Sequence, residues 1–364
     1  MRVAIVAPLV APIREPQLGG AQTFLADLAR GLLARGHDVE VYATSESVLP
    51  GVKIVDTGVD HRDLQATLYR ADGIPAGGGE IAERAFGQLY EVVRDRDHDI
   101  VHNHAFDAPA IELASVVDAP VVHTLHLPPA HSVAEALRRA ALRGRPATVA
   151  CVSRHQAQAW RRLVQVDAIL PPLVPTSDIP FSPLAGEGAV FAGRLSAEKG
   201  AAEAIEIAGT AGIPLQLFGD SYDDRYARER IDPRRGDRDV LIRPGVPRTE
   251  LWQAMARAAV VLCPAGWDEP FGMVAAEAQA CGTPVVAFRR GALPQVVIDQ
   301  VTGFLVEPGD IRAAAEAVWR SPGLSRRQCR VHAESELDLG STIDAHERLY
   351  ERIAGARAGA ASSA

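Results

Sequence analysis

The chain has 364 residues, a net charge of −8, 47% hydrophobic residues and 5% aromatics. That length suits about two domains at ~150 residues each, the acidic balance speaks against a general nucleic-acid binder, and no apolar run approaches the ~20 residues that span a bilayer. A secretory signal needs a basic region, an apolar stretch and a small-residue cleavage site; none is visible, so the cytoplasm is the expected compartment.

In chain order, short β-branched runs alternate with helical patterns. Val3–Ala7, Val39–Tyr42, Ile100–Asn103, Val121–Thr124 and Val149–Ser153 read as strands. Most are apolar on both faces, as in a parallel sheet covered by helices. Between the first two lies a helix carrying Leu25, Leu28, Leu32 and Leu33, which stops at Gly36, a plausible C-cap. This β–α–β pattern predicts a doubly wound first half. A proline-rich stretch follows, from Pro171 through Pro183, and suits a linker because proline lacks the donor that helices and sheet interiors need.

The pattern then restarts: strand Ala189–Ala192, helix Ala201–Ala208, strand Leu215–Phe218, helix Glu250–Ala258, strand Val260–Cys263, helix Met273–Ala280 and strand Pro284–Phe288. A last helical pattern covers Ile343–Ala354, and the Ala/Gly/Ser tail beyond Gly355 reads as disordered. The expected fold class is therefore α/β, with two Rossmann-like domains. In such sheets ligands bind at the carboxyl ends of the strands. Cys151, Cys263, Cys281 and Cys329 stand far apart, form no CxxC, and read as small buried hydrophobes.

Four places carry candidate chemistry. Gly19-Gly20 follows a long strand-to-helix loop at a helix start, where free N–H groups and the helix dipole favour a phosphate. A plain tight turn explains these two glycines equally well, and the GxGxxG fingerprint of an NAD enzyme is absent. Next, Gly193-Arg194-Leu195-Ser196-Ala197-Glu198-Lys199-Gly200 sets two cations at the mouth of a strand. Lysine occurs only at Lys53 and Lys199, which makes this context informative. Arginine grips phosphate through a planar fork and lysine as a point charge, so the pair suits a diphosphate. The bland reading is a solvated loop with an internal Lys199–Glu198 pair.

The third place is Gly266-Trp267-Asp268-Glu269-Pro270-Phe271-Gly272-Met273-Val274, running into Glu277. Gly272, Met273 and Val274 would present N–H groups at a helix start. Glu277 would sit among alanines, where a carboxylate is costly to bury without partners such as sugar hydroxyls. The alternatives are a turn residue for Glu269 and a helix-surface acid for Glu277. The fourth place is histidine-rich, His102-Asn103-His104 and His123-Thr124-Leu125-His126. A metal site would need convergent ligands and a supporting shell. None is expected; these strand ends are expected to face a cleft. The acidic runs Asp95–Asp97 and Tyr222–Arg225 are expected to be solvated loops.

These motifs together resemble the family-4 retaining glycosyltransferases, bacterial nucleotide-sugar enzymes of the GT-B fold. Glu269 and Glu277 have that family's EX7E spacing. Gly19-Gly20-Ala21-Gln22 is similar to its N-terminal glycine motif, Gly193–Gly200 to its phosphate motif, Thr124-Leu125-His126 to its cleft histidine, and Thr302–Gly309 to its late signature. The resemblance covers nearly the whole chain in the right order. It implies two domains facing across a cleft: an N-terminal acceptor-side domain at 1–170, a linker at 171–186 and a donor domain at 187–342, with 343–364 packing back on the first.

It also implies residue roles. Arg194 and Lys199 would hold the donor diphosphate. Backbone at Gly19, Gly20, Gly272, Met273 and Val274 would bind phosphate or donor sugar. Glu269 would contact sugar hydroxyls, Glu277 the ribose, the backbone around Val246 the base, and His126 the reacting sugar. The donor would be a nucleotide-diphosphate sugar, a UDP-sugar first, with no cofactor or metal. The acceptor, a small molecule, glycan or lipid, would meet N-domain loops such as Asp72–Glu80 and Leu127–His131. Three departures touch hinge and donor details: Pro171–Thr176 replaces the usual asparagine-glycine-valine linker, Gln295 stands where many members carry glutamate, and Asp220 follows Gly219 without a second glycine. The competing readings are a phosphorylase or epimerase on the same fold, and a non-catalytic sugar-nucleotide-binding protein.

Overall fold

The computed structural model describes residues 1–17, 19–64, 78–143, 147–221 and 223–361. Residues 72–77 of the glycine-rich loop expected to meet the acceptor, and Tyr222 of the second acidic run, lie outside them. The chain divides into two compact units, one of residues 1–14, 20–171 and 342–364, the other of 15–19 and 172–341.

The first unit holds seven parallel strands: β1 (Arg2–Val6), β2 (Asp38–Ala43), β3 (Lys53–Asp56), β4 (Ile100–Asn103), β5 (Val121–Leu125), β6 (Thr148–Cys151) and β7 (Ala168–Ile169), in the order β3-β2-β1-β4-β5-β6-β7. The second holds six: β8 (Ala189–Ala192), β9 (Leu215–Phe218), β10 (Val240–Arg243), β11 (Val260–Cys263), β12 (Val285–Phe288) and β13 (Gly303–Val306), in the order β10-β9-β8-β11-β12-β13. Each is a doubly wound sheet whose order reverses beside its first strand, between β1 and β4 and between β8 and β11. Both faces are covered by helices, which is why Val3, Ala4, Ile5 and Val6 are all fully buried.

Local chemistry sets the element ends. Helix Gly20–Ala34 closes on Gly36 at φ +85°, where Gly36 N–H donates to Leu33 O and His37 N–H to Leu32 O. This is the paired C-terminal closure that a left-handed glycine permits. β6 stops at Cys151, two residues short of expectation, because Ser153 leaves the sheet to cap helix Arg154–Trp160 by accepting from Gln156 N–H. The helix expected at Glu250–Ala258 begins at Arg248, directly after Pro247. The last helix runs from Leu339 to Ala361 rather than ending near 354, and the tail beyond Gly355 is helical to Ala361 instead of disordered; its alanines have the highest intrinsic helix propensity.

That last helix is bound into the first unit by Thr342, whose hydroxyl donates to Pro171 O at 2.5 Å, by the ion pair Arg35–Asp344 and by a 2.9 Å hydrogen bond between His37 Nε2 and Glu347 Oε1. The proline-rich stretch pairs within the second unit: Val174 N–H donates to Leu337 O and Leu339 N–H to Val174 O, each at 2.9 Å. Arg326 there is buried with its guanidinium donating to Ser182 O, Ala258 O, Ala256 O and the Thr283 hydroxyl. The four thiols are free, and burial pushes those of Cys151, Cys263 and Cys329 up to about 12.

Candidate active site

At the second unit's reversal point, the loops leaving β8 and β11 are locked together through glycines. Gly200 sits at φ +75° as the N-cap of helix Ala201–Ala211, and a Cβ there would stand 1.8 Å from Pro264 O. Gly266 donates its N–H to Glu198 O at 2.9 Å, and its own Cβ would stand 2.5 Å from Ala197 O. The result sets Lys199 against Glu269. The ammonium Nζ donates to Oε2 at 2.7 Å and Oε1 at 2.9 Å, and lies 5.0 Å from the Trp267 ring centre. Trp267 Nε1–H donates to the same carboxylate at 2.9 Å. Behind Glu269, Gly291 at φ +61° would bring a Cβ to 2.2 Å from Glu269 N, and Ala292 N–H donates to Glu269 O. The internal loop pair takes a different form from the bland reading: Glu198 bonds Arg194, four residues before it in the same loop, and leaves Lys199 to Glu269.

Glu269 leads into helix Met273–Ala280, capped by Gly272 at φ +105°. Gly272 O receives Ala275 N–H and Ala276 N–H, so the N–H groups of Met273 and Val274 have no carbonyl within the helix and point out of its positive end. Glu277 is buried, 4% exposed, and is no surface acid. Its Oε1 accepts from Arg248 Nε at 2.6 Å and from Trp252 Nε1 at 3.1 Å, with the guanidinium 4.8 Å over the Trp252 ring. Sequence reasoning offered sugar hydroxyls as partners and missed these two. The signal was there: Arg248 and Trp252 are four apart and so share a helix face. Trp267 and Gly291 were missed as well. Val246 is half-buried in the loop that enters helix Arg248–Arg257, beside Gly245, whose N–H donates to Asp220.

In the first unit, Gly20 opens helix Gly20–Ala34; Gly19, just before it in the chain, is half-buried and is grouped with the second unit. His126 follows β5, half-buried, with Nε2 2.9 Å from His104 Nδ1. The histidines expected to face a cleft are interior instead: His102 and His104 are 0% exposed and His123 1%. His102 bonds the Tyr350 hydroxyl at 2.6 Å and that of Thr124 at 2.7 Å, and His123 bonds Asn103. The last helix supplies Tyr350 and His346 and so covers them. Burial holds these imidazoles neutral. It pushes His123 down to about 3 and His126 to about 4, the latter helped by His346, while His102 and His104 fall well below 6.5. Of the predicted residues, Lys199 and Glu269 thus pair directly, while Glu277 pairs with Arg248, which lies outside the predicted set. Arg194 adjoins the first, and His126 belongs to its own histidine network. Among the described residues no three His, Cys, Asp or Glu side chains converge as metal ligands, and no helix is long and apolar enough to cross a membrane.

Two doubly wound parallel sheets, one with paired cations at its strand ends, define the GT-B class of α/β protein. The fold matches sucrose-phosphate synthase from Thermosynechococcus elongatus with a TM-score of 0.77 at 22% identity, covering 98% of this chain and 99% of that one. It also matches Anabaena Alr3699/HepE in complex with UDP and glucose, at 0.73 and 20%, covering 97% and 99%. Residues 18–178 match the model of Glycosyltransferase Family 4, and residues 182–320 that of Glycosyl transferases group 1. A D-inositol 3-phosphate glycosyltransferase from Xylanimonas cellulosilytica is 31% identical over 87% of both chains. A glycogen synthase from Mycobacterium tuberculosis is 27% identical over 96% of this chain and 94% of its own. The chain belongs to glycosyltransferase family 4, and it is a glycosyltransferase enzyme.

Proposed function

We propose that the enzyme moves a sugar from a nucleotide-diphosphate sugar, a UDP-sugar, to an acceptor hydroxyl, with retention of anomeric configuration and without a metal ion, in the cytoplasm. The observation that carries this reading is the Lys199–Glu269 pair, set beside the N-terminus of helix Met273–Ala280 at the carboxyl end of β11. An anionic diphosphate competes for Lys199 and frees Glu269 to accept from sugar hydroxyls. Arg194 adds a second cation, and the N–H groups of Gly272, Met273 and Val274, with the backbone of Gly19 and Gly20, meet phosphate or donor-sugar oxygens. Glu277 receives the ribose, the backbone at Val246 the base, and His126 the reacting sugar. The UDP of the Anabaena structure supports the choice of nucleotide class.

Departure of a diphosphate builds negative charge, and preorganised cations stabilise it. The acceptor oxygen attacks the anomeric carbon on the face the phosphate leaves. The carbon–oxygen bond to phosphate breaks, and the acceptor proton passes to the departing phosphate oxygen. No side chain need serve as nucleophile. A thermal-shift screen of UDP, GDP, ADP, TDP and their sugars tests the donor. A ligand at a hundredfold excess over its Kd stabilises by about 2.7 kcal/mol, so a shift confined to UDP compounds is expected. Silence from every nucleotide in folded protein would overturn the donor site. Retention is read from the anomeric proton coupling of the product, and metal independence from full turnover in excess chelator.

A further inference from the structure

We propose that His104 acts as a positioning residue that fixes the tautomer of His126: His104 donates from Nδ1 to Nε2 of His126, so that His126 carries its own proton on Nδ1. The geometry allows only one proton between the two rings, since Nδ1 of His104 and Nε2 of His126 lie 2.9 Å apart and one must accept. The other nitrogen of His104 decides which. His104 Nε2 is buried without a partner. If the proton sat there, an N–H would be orphaned in the interior, which native proteins avoid more strictly than an idle acceptor.

The neighbouring ring supplies an internal precedent. His346 Nδ1 lies 2.7 Å from Thr342 O, a carbonyl that can only accept, so His346 is the Nδ1–H tautomer and its buried Nε2 is a bare lone pair. This interior therefore already holds an unbonded acceptor nitrogen. Neither ring of the pair can escape the choice by becoming charged. His104 is stacked on His102 with ring centres 4.0 Å apart, and burial and the surrounding imidazoles oppose protonation of both His104 and His126. Phe24 closes on both rings at 6.0 and 6.3 Å.

The consequence is chemical. His126 Nδ1 bonds no group among the described residues and is not counted with the buried, unbonded nitrogens. As an N–H it offers a hydrogen bond to an acceptor oxygen of a bound ligand and cannot take a proton from one. His126 is thereby excluded as a general base through that nitrogen. The kinetic weight of this rests on the proposed role of His126 beside the reacting sugar; the tautomer itself does not.

Long-range proton–nitrogen NMR of the full chain, labelled with nitrogen-15 histidine and free of nucleotide, reads the tautomer directly, with the His126→Gln spectrum identifying the His126 signals. The expected result in the wild type is a proton on Nδ1 of His126 and on Nδ1 of His104. A wild-type His126 protonated on Nε2 overturns the proposal. In activity assays His104→Leu, which leaves His126 Nε2 without its donor and the ring without its anchor, is expected to lose about 10- to 100-fold in turnover at an unchanged donor KM. His104→Asn, whose amide N–H can stand in for Nδ1–H, is expected to recover part of that loss. Wild-type turnover in a folded His104→Leu protein overturns the positioning role. Should His104→Leu not fold, the wild-type spectrum alone decides.

Discussion

The carboxyl ends of the two sheets share a strand order and carry opposite chemistry. At the β8–β11 reversal the chain places full charges, Lys199 against Glu269 and Arg194 against Glu198, each side chain about a seventh to a quarter exposed. Around β4 and β5 it places His102, His104 and His123 at 0–1% exposure, bonded to hydroxyls, an amide and, from His104, the half-buried His126. Strand order sets where a ligand can bind; water access sets what kind of group can wait there. Partial exposure lets an ion pair stay ionised and exchange partners with an incoming anion. Full burial penalises the charged form, so the first unit's groups work as neutral donors and acceptors.

Acid should separate the two regions most. The unfolded chain protonates its histidines near 6.5, whereas His346 and His126 are held to about 4 and His123 to about 3 in the fold. Below 6.5 the unfolded state therefore binds more protons. The stability of the neutral cluster is fully present above that value and is lost as pH falls from 6.5 toward 4. For a shift from 6.5 to about 4 the loss is about 3 kcal/mol per imidazole. The second unit contains a single histidine, His332, half-buried and also lowered. Hydrogen exchange at pH 5 should thus show β1, β4 and β5 losing protection while β8 and β11 keep theirs. Equal loss in both units would erase the distinction.

Replacing the ammonium tests the other side of it. Lys199→Ala should lower turnover by about 10²–10³, the effect of removing one preorganised charge donor from a transition state, or roughly 3–4 kcal/mol. Lys199→Arg should recover only part, because a planar fork does not reproduce a point charge. Wild-type turnover in Lys199→Ala, measured as nucleotide released in the presence of acceptor, would reduce the pair to a structural contact.

The architecture was legible because buried parallel strands are continuous apolar runs; β4, β8, β9 and β11 have the bounds the pattern gave. The charged site was legible because Arg194, Lys199, Glu269 and Glu277 sit in glycine-marked loops and helix starts. What was not legible depends on pairing across the sheet. That Lys199 meets Glu269 rather than Glu198 follows from Gly200 and Gly266 letting two backbones touch, Gly200 against Pro264 and Gly266 against Ala197. That the histidines are interior follows from a helix more than 200 residues later supplying Tyr350 and His346. Neither is encoded in local periodicity. The extended last helix was missed for a different reason: alanine and glycine in one tail send opposing propensity signals, and alanine prevailed.

Glu277 sits between the two regimes, since it is as buried as the histidines yet paired like the cations. Two jobs are open to such a carboxylate. If it serves only to neutralise Arg248, Glu277→Gln should lower the melting temperature, because a buried guanidinium loses its counter-charge, and leave donor binding alone. If it receives the ribose, the same variant should raise the donor KM about tenfold, or roughly 1.4 kcal/mol, at nearly constant turnover, because a uniform binding contact has been lost. The amide still accepts from Trp252 Nε1, so shape and the indole contact persist and the charge alone is tested. We expect the rise in KM to exceed what the melting shift accounts for. A melting loss with an unchanged KM would assign Glu277 to Arg248 and leave ribose recognition to the backbone of the loop carrying Val246.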